Sequence, residues 1–65
     1  MNFMLEALVQ KLEGEIAIAK ANILVYVRSS TGIGEHPEVV EAIETQVTKI
    51  AEAQDKINTI KDLKL

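Results

Sequence analysis

The chain has no cysteine, no tryptophan, a single proline, a single histidine and only two aromatic residues, Phe3 and Tyr26, in 65 residues. Each scarcity closes a route to stability or chemistry. Without cysteine there is no disulfide framework and no thiolate zinc site, and one histidine excludes a two-histidine metal motif. With 48% apolar residues but 3% aromatic ones, the composition suits helices packed on aliphatic and alanine side chains better than a β-sandwich or barrel.

Charge of one sign is also missing in any concentrated form. The net charge is −3 and the basic residues are scattered, which disfavours nucleic acid, whose partners gather Lys and Arg on one face. The start, Met1 to Glu6, lacks the basic residues of a secretory signal. The most apolar run, Ile16 to Val27, is interrupted by Lys20 and Asn22 and is too short to span a bilayer. The expectation is a soluble, intracellular protein with no membrane contact and no cofactor.

What is present is two helical patterns around one interruption, S-S-T-G-I-G-E-H-P, Ser29 to Pro37. Hydroxyls, two glycines and a closing proline make a helix stop followed by a helix start. Before it, Leu5, Val9, Leu12, Ile16, Ala19, Ile23 and Tyr26 succeed one another in alternating steps of four and three, the spacing of a coiled-coil seam. This predicts a helix over about 3–28. Gly14 weakens it in mid-course. Beyond the seam, Ala17, Ile18, Ala21, Leu24 and Val25 would face water in a lone hairpin, and a helix apolar around its circumference is usually buried in a larger assembly.

After the interruption, Val40, Ile43, Val47, Ile50, Ile57 and Ile60 mark a second stripe, flanked by Val39, Ala53 and Leu63, over a helix of about 37–63. Gln54 falls in that seam, where a polar residue can fix register; the alternative is a side chain rotated to the edge. Glu52 and Lys56 are spaced for an i,i+4 ion pair. Pro37 suits the first helical position, with His36 as N-cap, and Ile33 is placed to fold back over the seam near Val39 and Val40. The fold expected is all-α: an antiparallel two-helix hairpin, one domain over 1–65 with its turn at 29–36, self-associating into a helical bundle because so short a chain buries little of its surface alone. The interface is expected to draw on Leu5, Val9, Leu12, Ile16, Ala17, Ala21, Ile23, Leu24, Ile43, Val47, Ile50 and Ile57.

The phrase G-I-G-E-H-P-E-V-V-E-A-I-E, Gly32 to Glu44, preceded by A-N-I-L-V-Y-V and followed by K-I-A-E-A-Q-D-K-I, resembles small proteins encoded by tailed bacteriophages, particularly marine T4-like ones. The resemblance spans roughly Ala19 to Ile57. It implies a phage source, hence the cytoplasm of an infected bacterial host or the virion as location, and carries over no catalytic residue.

Chemistry is sparse. Arg28, Ser29, Ser30, Glu35 and His36 could be read as a hydrolase cluster, but a short turn on a thin bundle supplies neither walls nor a third residue to orient a base. Arg28, Ser29, Ser30, Thr31, Gly32, Gly34 and His36 also form a candidate anion site, since hydroxyls, glycine N–H groups and a helix N-terminus suit phosphates. Against it, Glu35, Glu38 and Glu41 crowd the same place and no G-K-[ST] is present. The expected function is therefore non-enzymatic: a homo-oligomeric phage accessory protein acting through protein contacts, as a structural component or a modulator of a host protein. The alternative is an oligomeric binder of a nucleotide-like ligand, with sites built between subunits at the turns.

Overall fold

The computed structural model describes residues 2–28 and 38–63, which form two helices, α1 (Phe3–Arg28) and α2 (Glu38–Asp62). No strand occurs among the described residues. The readings placed on Ser29 to Pro37, including the His36 cap and the folding back of Ile33, lie outside them.

α1 begins where Asn2 can cap it. Its side-chain Oδ1 accepts from the Leu5 backbone N–H at 2.9 Å, and its carbonyl accepts from the Glu6 N–H at 3.0 Å. The first bond satisfies one of the donors that every helix start leaves orphaned, and the second is the first rung of the helix's own ladder. α2 carries Glu38 and Glu41 in its first turn and Lys61 in its last, complementing the helix dipole. It closes with a tightened turn, the Leu63 N–H donating to the Ile60 carbonyl at 3.1 Å. Two outer-face hydroxyls are used by the helix itself, Thr45 donating to the Glu41 carbonyl and Thr59 to that of Asp55.

The helices pack side by side and antiparallel. Leu12 in α1 clusters with Ala53, Ile57 and Ile60 in α2, with Leu5, Val9 and Ile16 packed against that cluster, while Asn22 further along α1 meets Gln46 earlier in α2. All seven residues of the α1 seam expected from spacing, Leu5 to Tyr26, are buried or half-buried. Leu12 and Ala19 are the most enclosed, at 2% and 1% exposure.

The α2 seam is not the one the apolar residues suggest. Val39, Ile43, Gln46, Ile50, Ala53, Ile57 and Ile60 face α1, whereas Val40 is 71% and Val47 51% exposed. Two registers compete, and both contain Ile43, Ile50 and Ile57. One completes the seam with Val40, Val47, Gln54 and Lys61, the other with Val39, Gln46, Ala53 and Ile60. The first offers more valine but drives Gln54 and Lys61 inward, and burying an unpaired lysine costs more than leaving two valines wet. By the pairing that sets Asn22 beside Gln46, Gln54 would also lie level with Gly14, which has no side chain to answer it.

Gln54 instead stays at the surface and donates to Asn58 Oδ1 at 3.1 Å within its own helix, so the edge placement holds. Gln54→Ala is accordingly expected to shift stability by less than about 0.5 kcal/mol, checked by thermal denaturation followed by circular dichroism. A loss of several times that would put Gln54 back in the seam.

A candidate functional groove along the helix seam

The polar residue of the seam is Gln46, only 7% exposed. Its Oε1 accepts from Asn22 Nδ2 at 3.1 Å across the helix pair. No buried side-chain nitrogen or oxygen is left without a partner among the described residues, so this inter-helix amide pair satisfies the one polar side chain the seam encloses. Of the two readings that spacing offers for Gln54, the edge placement is the one found, and the polar side chain enclosed in the seam is Gln46, bonded to Asn22.

Beside this pair a groove of about 300 Å³ opens between the helices. Its cause is side-chain size: Ala19 and Ala53 stand in the two seams where larger residues would close the gap. Its rim carries two acids, Glu15 and Glu52, and two bases, Lys49 and Lys56, with Ile18 contributing an apolar edge.

One ion pair forms among the described residues, Lys11 Nζ to Glu15 Oε2 at 2.6 Å, between two exposed side chains. Glu52 and Lys56, spaced for another, do not close to ion-pair distance. The hydrogen bond from Lys11 holds the Glu15 carboxyl below its ordinary pKa; desolvation opposes it, and the positive charges of Lys11 and Lys56 add to it. A depressed carboxylate pKa favours the folded state above the unfolded pKa, and that contribution is lost as pH falls through the folded value. At so exposed a pair it is small.

Of the residues read as a hydrolase cluster, only Arg28 is among the described ones. Of the residues read as a ligand site, Arg28 ends α1, exposed, while Ser29, Ser30, Thr31, Gly32, Gly34 and His36 lie outside the described residues. Among those described, no group of three His, Cys, Asp or Glu side chains is placed to hold a metal ion, and no helix is long and apolar enough to cross a membrane.

The residues expected at an oligomer interface divide in two. Leu12 and Ile57 are buried within the hairpin, and Leu5, Val9, Ile16, Ile23, Ile43 and Ile50 are half-buried along its seam. Ala17, Ala21, Leu24 and Val47 remain exposed.

Compared with known proteins, the chain matches no family model, no curated protein and no solved structure.

Proposed function

We propose that the protein is a non-enzymatic accessory protein of the kind tailed bacteriophages encode, built as a homo-oligomeric bundle of helical hairpins and acting through protein contacts. The observation that carries this reading is the apolar surface a single hairpin leaves wet. Phe3, Met4, Ile18, Val25, Val27 and Val40 are each more than half exposed, and Leu8, Leu24, Val47 and Leu63 nearly so or more. Scattered single apolar residues on a surface need no explanation, but these occupy both helices of a chain with little interior to offset them. Pairing hairpins into a four-helix bundle covers such faces with the same packing that builds the seam.

The reading is tested on Ile18, 64% exposed in the hairpin. Ile18→Asp places a charge where a lone hairpin has water and an assembled one has a neighbour. By sedimentation equilibrium the wild type is expected at a multiple of the 7.2 kDa chain mass, and Ile18→Asp at a lower multiple. A wild type that sediments as one chain, unaffected by the substitution, would remove the proposal.

A further inference from the structure

We infer that the two copies in this assembly meet along a second stripe of α1, pairing antiparallel with Leu8 of each copy opposite Ile18 of the other and Lys11 opposite Glu15. The inference rests on the homo-oligomer reading above and adds to it a face and a register.

Met4, Leu8, Lys11, Glu15, Ile18 and, one heptad on, Val25 repeat the alternating four and three steps of the inner seam, displaced to its side. Within the chain this stripe has little to do: Met4 is 65% exposed, Ile18 64%, Val25 59% and Leu8 41%. It borders the groove, which Glu15 and Ile18 help to line.

The exposed apolar side chains of this stripe are the surface that an occupant would cover.

Charge argues for the chain itself as that occupant. The stripe itself carries one base, Lys11, and one acid, Glu15, so it suits neither a strongly acidic nor a strongly basic partner, and it complements its own two-fold copy. In antiparallel coiled coils residues of the a and d classes face each other. The register that sets Leu8 against Ile18 also sets Lys11 against Glu15, each pair occurring twice about the two-fold axis. Each Glu15 then lies between its own Lys11 and that of the other copy.

This register also explains Gly14. A methyl built there would meet no heavy atom within 4 Å, so nothing in the hairpin demands a glycine that weakens the helix. The two-fold axis falls level with Glu13, one residue away. Gly14, with Ala7 and Ala21 one heptad to either side on the same flank, lets the two α1 backbones approach where they cross.

The absence of cysteine makes a direct test available. Leu8 and Ile18 lie about 15 Å apart along one helix, beyond the span of a disulfide, so a cross-link between cysteines at these positions must join two chains. On mild oxidation Leu8→Cys/Ile18→Cys is expected to run mostly as covalent dimer. Leu8→Cys mixed with Ile18→Cys should cross-link, and either alone should not. Ile18→Asp, changing a side chain the hairpin leaves exposed, should lower the native mass of the assembly.

An oligomeric wild type without that cross-link, whether or not Val47→Cys forms one on the far side of α2, would overturn the face and register while leaving self-association standing. A wild type that is a single chain at every concentration would overturn both.

Discussion

Replacing Leu12 by alanine is expected to cost about 3 kcal/mol, a large share of the stability of a domain this size. Leu12 is the largest fully buried side chain, 2% exposed, and sits at the centre of the cluster with Ala53, Ile57 and Ile60. Ala53 is already the smallest residue that could face it, so the lost methyl groups leave a void that no neighbour is large enough to fill. A 65-residue chain commands a total folding free energy of roughly 3–10 kcal/mol. The variant should therefore be largely unfolded or unfold at much lower urea, read by far-ultraviolet circular dichroism. Leu24→Ala, at a half-exposed position, should cost far less within the hairpin; equal losses at the two sites would mean that Leu12 is not the centre of the core.

The second large effect is expected at the Asn22–Gln46 pair. Gln46→Leu leaves the Asn22 amide without its partner in a partly buried place, and an orphaned polar group of that kind costs about 1–3 kcal/mol. Asn22→Leu should cost a similar amount by orphaning the more deeply buried Gln46. The double variant Asn22→Leu/Gln46→Leu removes both amides at once, and its stability should return to that of the wild type or exceed it.

The double variant should also keep the observed seam, because Gln54 and Lys61 still bar the alternative one. A single set of amide resonances is the expected sign; doubled resonances would show that the amide pair and not Lys61 sets the register. Additive losses in a double-mutant cycle would show instead that the two amides do not act as a pair.

These residues also show how far the sequence could be read. Two packed helices were legible because the apolar spacing repeats over many turns, and the α1 seam because its seven positions, Leu5 to Tyr26, run without a charged or amide side chain. The α2 seam was not, since three isoleucines serve both registers and valine outscores glutamine wherever hydrophobicity alone is counted. What decides the matter is pairwise: Gln46 is acceptable inside only because Asn22 is level with it on the other helix, and that relation appears once the helices are aligned. Asn2, a standard capping residue three positions before Leu5, carried a signal that was open to reading and passed over. The groove was not legible, because its lining joins residues far apart in the chain, Ala19 and Ala53 among them.

The candidate turn site stands differently. Hydroxyls and glycines at Ser29 to Gly34 are the chemistry of helix ends as much as of anion binding, and the single described member, Arg28, is exposed at the end of α1. The proposal of self-association rests on the helix faces, where exposed apolar residues occur.

The most direct test of self-association is the native mass of protein purified from cells, which reports subunit number and any retained small molecule together. An integral multiple of the chain mass without adducts is the predicted result. A single-chain mass of 7.2 kDa, persisting at the highest concentrations that remain clear, would contradict it.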